Sequence, residues 1–323
     1  MPVETASLTS HLFTDLTSPV SVEGLEPFYS TSLGSAYLGD SLDVLKRMPE
    51  GSVDLIMTSP PYALEFKKEY GNQSKDKYQE WFLEFAREFH RVLKDDGSFV
   101  LNIAGSWNKG NPTKSLYQYK LLIALVEEVG FHLAQEFFWY NPAKMPVPAE
   151  WVTVRRIRVK DSVEHVWWLS KTPHPKANNR KVLKPYSKDM IRLNERGLKN
   201  TQRPSGHMIN ESFADVTHGG SIPPNVFEDE QQQATDFMKF GNNAANDNYA
   251  LACKERGMKR HPARFPNALP EFFINFLTND QDLIMDPFAG SNTTGAVAER
   301  MNRKWLAVDC VEDYLEGSKF RFV

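Results

Sequence analysis

Residues 283–295 read Leu-Ile-Met-Asp-Pro-Phe-Ala-Gly-Ser-Asn-Thr-Thr-Gly, and residues 305–309 read Trp-Leu-Ala-Val-Asp. The first stretch opens as a short apolar strand (283–285), turns through small residues and continues as a helix (293–301). The second is again a strand (305–308). Together they make a β-loop-α-β unit, the building block of an α/β domain with a largely parallel sheet. A small-residue turn between strand and helix lets a ligand approach the backbone and aims helix N-terminal N–H groups at an anionic group. Asp309, closing the second strand, stands where a carboxylate can take both hydroxyls of a ribose. The pair points to a nucleoside-containing cofactor, although a tight packing turn without a ligand has the same appearance.

The same alternation runs upstream. A short helix (41–48, capped by Ser41) follows Gly39-Asp40, and an apolar strand (53–58) ends at Ser59-Pro60-Pro61-Tyr62. Two consecutive prolines cannot extend a ladder, so the chain must leave the sheet there. The result is a stiff ledge with outward carbonyls and a ring for stacking, suited to an exocyclic amino group lying over an aromatic face. Residues 78–93 put Trp81, Phe82, Phe85, Phe89, Val92 and Leu93 on one helical face, read as core, and Gly97 precedes a strand at 98–103. A helix at 115–129, strands at 131–140 and 165–170 and a helix at 269–278 complete the pattern. Residues 1–35 hold 12 Ser/Thr and neither Lys nor Arg, and read as a flexible arm. Periodicity fades over 171–260, where 228–249 reads as an acidic, amide-rich mobile loop.

The chain has 323 residues, 41% hydrophobic and 24% charged, enough for a substantial core. It lacks both the run of about 18 apolar residues a membrane span needs and a secretory signal, which places it inside a cell. Cys253 and Cys310 fit a reducing compartment and read as buried small hydrophobes. A formal net charge of −3 at first argues against a polyanionic partner. The average hides an asymmetry: residues 151–200 carry 13 Lys/Arg against 4 Asp/Glu, a net +9, while 1–50 and 201–250 are each −5. Such a block is what a phosphate-tracking surface requires, and a solvated basic face is the other reading.

Ser59-Pro60-Pro61-Tyr62 with Asp286-Pro287-Phe288-Ala289-Gly290-Ser291 resembles the two defining motifs of the amino-group DNA methyltransferases. The catalytic motif precedes the cofactor motif, as in their circularly permuted beta group. The Ser-Pro-Pro-Tyr form, with Gly39–Asp43, Lys68–Asn72, Arg158–Asp161, Val166–Trp168, Arg203–His207, Gly219–Asn225 and His261–Pro266, is similar to the PvuII-type cytosine-N4 methyltransferases. The resemblance covers roughly residue 36 to the C-terminus. It implies a Rossmann-like S-adenosylmethionine-dependent α/β fold with a mixed, mostly parallel sheet, circularly permuted and carrying a target-recognition subdomain. The divisions expected are an arm (1–35), a catalytic half (36–170), a target-recognition region (171–260) and a cofactor half (261–323).

The resemblance further implies transfer of a methyl group from S-adenosylmethionine, leaving S-adenosylhomocysteine, to N4 of a cytosine flipped out of double-stranded DNA, with no metal. Ser59, Pro60, Pro61 and Tyr62 become catalytic. Asp286, Phe288, Ala289, Gly290, Ser291, Asn292, Thr293 and Thr294 go to the methionine part of the cofactor, with Phe265 beside them, Asp309 to the ribose and Asp40 to the adenine. Asn292 stands where many relatives have a second glycine. Arg155, Arg156, Arg158 and Lys160 are the expected phosphate contacts, with Lys67, Lys68 and His207 as further DNA contacts. A cytosine-C5 mechanism needs a Pro-Cys nucleophile, and neither Cys follows Pro. Adenine N6 as the target, or an inactive DNA-binding protein of the same fold, are the competing readings. A monomer or dimer in the cytoplasm of a prokaryote, or one encoded by a phage, with a cognate restriction endonuclease, is the expected setting.

Overall fold

The computed structural model describes residues 20–63, 73–141, 144–197, 206, 208, 217–227, 248–264 and 266–322. In chain order the elements are β1 (Tyr29–Ser30), β2 (Gly34–Leu38), α1 (Ser41–Arg47), β3 (Val53–Thr58), α2 (Lys75–Val92), β4 (Leu93–Ile103), α3 (Tyr117–Glu127), β5 (His132–Tyr140) and β6 (Val163–Ser170). They continue with α4 (Lys188–Arg196), β7 (Val226–Phe227), α5 (Asn248–Glu255), α6 (Ala268–Leu277), β8 (Leu283–Asp286), α7 (Thr293–Arg300), β9 (Lys304–Asp309) and α8 (Glu312–Ser318).

The strands form one sheet in the order β1-β2-β9-β8-β3-β4-β6-β5-β7. From β2 through β4 all neighbours are parallel, whereas β6 runs antiparallel to both β4 and β5. Because successive side chains of a strand point to opposite faces, alternate residues feed two cores. Ile56, Phe99, Leu101, Met285, Leu306 and Val308 face α1, α2 and α3. Leu55, Met57, Val100, Ile284, Trp305 and Ala307 face α6, α7 and α8. Burial on both faces explains why these strands read as continuous apolar runs.

The chain leaves β8 toward β9 and leaves β3 toward β4, in opposite directions along the sheet. That divergence opens a crevice beyond the carboxyl ends of β8 and β3, where open α/β sheets bind their ligands. The strands that make it come from opposite ends of the chain. At the other edge of the sheet, β3 carries the buried Asp54. Its carboxylate accepts from Lys94 Nζ and Lys176 Nζ, both at 2.7 Å, and from Leu283 N at 2.9 Å. Burial opposes its ionisation, but these donors hold it below the ordinary carboxylate range.

Three expectations change. Residues 20–35 are not an arm: Val20 and Val22 enter the core, Val22 N donates to the Tyr37 hydroxyl at 2.9 Å, and β1 pairs with β2. Their few apolar anchors are too widely spaced to give a period. The stretch 171–260 is not wholly apart from the catalytic domain either, since Val182 and Phe227 are core residues and β7 extends the sheet. Of the loop expected at 228–249, residues 228–247 lie outside the described residues, and Tyr249 is buried in α5. Cys253 is buried as expected, but Cys310, just past β9, is exposed.

Candidate active site

The crevice is a cavity of about 1190 Å³, larger than a drug-sized ligand needs and able to take a cofactor and a nucleotide base together. It joins both motifs. Ser59, Pro60, Pro61 and Tyr62, following β3, line it together with Phe288, Ala289, Ser291 and Thr293, which follow β8, and with Asp40 and Asp309 beyond β2 and β9.

The remaining residues of the turn lie beneath this surface and shape it. Asp286 is 2% exposed. Its Oδ1 accepts from Thr58 Oγ1 at 2.7 Å and Phe288 N at 3.2 Å, and its Oδ2 from Thr294 Oγ1 at 2.7 Å. The carboxyl thus ties the end of β3 to the end of β8 and to the first turn of α7. Burial pushes its pKa up to about 6 against these three donors. Gly290 has φ +51, and a Cβ there would stand 3.0 Å from the His261 ring. Asn292 has φ 51 and ψ 46, accepts from Gly295 N at 3.0 Å as the cap of α7, and donates to the Tyr29 hydroxyl at 2.9 Å. Its amide is therefore engaged in holding the turn, in a left-handed backbone that Asn tolerates better than most residues.

Asp309 Oδ2 accepts from Gly290 N at 2.7 Å and Oδ1 from Val311 N at 2.9 Å. Each oxygen can accept a further hydrogen bond, and Asp309 lines the cavity. The cap of α1 is Asp40 rather than Ser41: Asp40 has extended dihedrals and accepts from Leu42 N, while Ser41 is already helical and donates to Pro287 O.

The ledge carries a hydrogen-bond network absent from the sequence reading. The Tyr62 hydroxyl lies 2.9 Å from Ser59 Oγ, 3.1 Å from Glu164 Oε2 and 3.2 Å from Asn102 Oδ1. Glu164 Oε1 accepts from Lys144 Nζ at 2.9 Å. Tyr62 has one proton for three neighbours, and the ionised carboxylate is the strongest acceptor. Burial, then the Glu164 charge, raise the phenol well above its ordinary range and keep it neutral. Glu164, Asn102 and Lys144 escape a sequence search because they share no motif: each is an isolated polar residue at or just beyond the same end of a strand. The aromatic stripe of α2 also divides. Phe82 and Phe89 are fully buried core, whereas Trp81 and Phe85 reach the cavity and pack on Phe288 with centroids 5.9 and 5.0 Å apart.

Arg155, Arg156, Arg158 and Lys160 lie outside the cavity lining. Arg155 and Arg156 are exposed on the segment joining β5 to β6, Arg155 against Glu150 at 2.7 Å and over the Trp151 ring. Arg158 is only 15% exposed and faces Asp161 at 3.2 Å, and Lys160 is exposed. Lys67, Lys68, His207 and Phe265 lie outside the described residues. His261, in the segment before α6, lines the cavity with Arg260 and Arg264, and burial lowers its pKa to about 4.

A family model described as DNA methylase (N6_N4_Mtase) matches residues 53–320. The Type II methyltransferase M.PvuII of Proteus hauseri is 49% identical over 303 residues, covering 93% of this chain and 87% of the relative. The solved structure of a PvuII DNA methyltransferase, described as cytosine-N4-specific, superposes with a TM-score of 0.73 at 44% identity, over 93% of this chain and 90% of that one. At the level of fold alone, a DNA modification methylase of Thermus thermophilus complexed with S-adenosyl-L-methionine matches with a TM-score of 0.53 at 18% identity, over 89% and 92% of the two chains. With its ledge and small-residue turn lining one crevice, the chain belongs to the N6_N4_Mtase family of DNA methylases.

Proposed function

We propose that the protein methylates N4 of a cytosine turned out of double-stranded DNA at a specific site, with S-adenosylmethionine as donor and S-adenosylhomocysteine as product. The observation that carries this reading is that the ledge Ser59–Tyr62 and residues of the turn Pro287–Thr293 line one cavity of about 1190 Å³. The residues fit such a cofactor. Asp309 and Asp40 offer carboxylate oxygens to hydroxyl and amino donors, Ala289 and Ser291 bring backbone close, and Trp81, Phe85 and Phe288 supply an apolar wall. The cofactor supplies an electrophilic methyl on a sulfonium. The work of the chain is to position and desolvate. Ser59 Oγ and Pro60 O accept from the target amino group and turn its lone pair toward the methyl, while the Tyr62 ring stacks on the base. A base in a duplex cannot reach this ledge, so it is flipped, at a cost on the order of a few kcal/mol offset by stacking and pocket contacts.

The choice of cytosine N4 is supported by the Ser-Pro-Pro-Tyr ledge and by the relative described as cytosine-N4-specific, 44% identical over 93% of the chain. We assign Arg155, Arg156 and Lys160 to phosphate contacts, the irregular span within residues 171–260 to base recognition, and a paired restriction endonuclease in a bacterial cytoplasm as the setting. Expression in a methylation-free host, digestion of its DNA to nucleosides and mass separation tests the reading. N4-methylcytosine is expected, and N6-methyladenine in its place overturns it. A second expectation is a division of roles. Ser59→Ala lowers turnover by at least about 100-fold with S-adenosylhomocysteine affinity kept, whereas changing Asp286 weakens that affinity because the turn loses its anchor.

A further inference from the structure

An amino group that takes a methyl must lose a proton, and a group hydrogen-bonded to the ledge is placed to receive it. Several described carboxylates flank the site, but their surroundings differ. Asp40 and Asp309 are held by backbone N–H groups beyond β2 and β9. Asp286 lies under the turn. Among the described residues, Glu164 is the carboxylate hydrogen-bonded to the ledge, 3.1 Å from the Tyr62 hydroxyl, which is itself 2.9 Å from Ser59 Oγ.

We propose that Glu164, acting through the Tyr62 hydroxyl, receives the proton shed by the target amino group, so that Ser59, Tyr62 and Glu164 form a proton relay. The inference rests on the amino-group reading of the ledge and adds to it where the proton goes. The nitrogen lone pair forms the N–CH3 bond as the S–CH3 bond breaks, with its electron pair remaining on sulfur. The nitrogen then gives one proton to Ser59 Oγ as the Ser59 proton passes to Tyr62 Oη and the Tyr62 proton to Glu164 Oε2. Both hydroxyls are restored, the base is neutral, and the sulfonium and carboxylate charges disappear together. The raised phenol suits this role: Tyr62 hands a proton on without resting as a phenolate. Lys144, 25% exposed and 2.9 Å from Glu164 Oε1, marks the side from which the carboxyl returns its proton to solvent.

A purely structural Glu164 would hold Tyr62 in place, and Glu164→Gln keeps both the volume and an acceptor for the phenol. Tyr62→Phe keeps the stacking ring and removes only the relay hydroxyl. The test is single-turnover methylation of a duplex substrate by the full chain, with KM values and S-adenosylhomocysteine affinity by calorimetry. Each variant is expected to slow the methylation step by about 100-fold, with KM and affinity within about twofold of the parent, and the double variant to be no slower than either single. Rates within about twofold of the parent for Tyr62→Phe, or losses that multiply in the double variant, overturn the relay. If Glu164→Gln does not fold, Tyr62→Phe alone decides. Parent protein that methylates no amino group would instead sink the underlying reading, an outcome distinct from an unaffected variant.

Discussion

Asp286 and His261 lean on the same turn and titrate in opposite senses. Burial raises the Asp286 carboxyl from 3.8 to about 6, so the folded state keeps this proton longer than the unfolded chain does. Its contribution to stability is complete below about pH 4 and is lost as pH rises through about 6, a difference on the order of 2–3 kcal/mol. Burial lowers His261 from 6.5 to about 4, so here the unfolded chain binds the extra proton and stability rises with pH across that window. The two slopes oppose each other between about pH 4 and 6. Urea unfolding of Asp286→Asn should therefore show a variant that gains on the parent from pH 4 to pH 7, and a difference independent of pH would contradict the burial argument. At Gly290, φ +51 is strained for any side chain, and a Cβ would crowd the His261 ring at 3.0 Å. Gly290→Ala should cost about 1–2 kcal/mol by thermal unfolding, with weaker S-adenosylhomocysteine binding, because the amide that meets Asp309 moves with it.

The segment between β5 and β6 shows what one element can and cannot reveal in advance. Its arginines are legible as charge, and antiparallel pairing of β6 with β4 brings His165, near the start of β6, beside Ile103 at the active-site edge. Arg155 and Arg156 are exposed on this segment, whereas Arg158 is only 15% exposed and lies against Asp161. Nothing local in the run of arginines distinguishes them, since the difference is made by a carboxylate three residues on and by the fold of the segment. If Arg155 and Arg156 each neutralise a phosphate, Arg155→Ala and Arg156→Ala should each reduce the slope of log affinity against log salt by about 1. Arg158→Ala should instead act through stability. Fluorescence anisotropy with a duplex at several salt concentrations measures the slopes, and equal slopes for all three variants would contradict the assignment. The stripe on α2 shows the same limit: its helical period was readable, but which of its rings line the cavity is decided by tertiary placement, since Trp81, Phe82 and Phe85 all pack on Phe288 and only Trp81 and Phe85 of the three reach the lining.

Over the whole molecule, the central elements were legible because β3, β8 and β9 are buried on both faces and α2, α3 and α6 carry buried apolar residues, which local patterns report, whereas α4, which buries none of its residues, was not. Both motifs were readable for the same reason, since a Pro-Pro ledge and a small-residue turn are continuous in sequence. The Glu164 network and the placement of residues 20–35 were not, because they depend on contacts between distant segments. The charge block belongs with them. Read along the chain, the net +9 of residues 151–200 looks like one surface, but β6 crosses the sheet and divides it. Its Ser170 end pairs with Ser98 at the edge opposite the cavity. There Lys171 donates to Leu93 O, Lys181 to Thr278 O, and Lys176 bridges Asp54 and Asp282 at 2.7 Å each. These lysines serve the fold. Lys176→Met would leave Asp54, 1% exposed, with Lys94 as its remaining cation. A loss of about 2 kcal/mol follows, short of the full penalty for an unpaired buried charge. The salt slope of DNA binding should stay at the parent value, while Arg155→Ala shows the reverse pattern of normal stability and a reduced slope. A lower slope in Lys176→Met at unchanged stability would mean that the block acts as one DNA-facing surface after all.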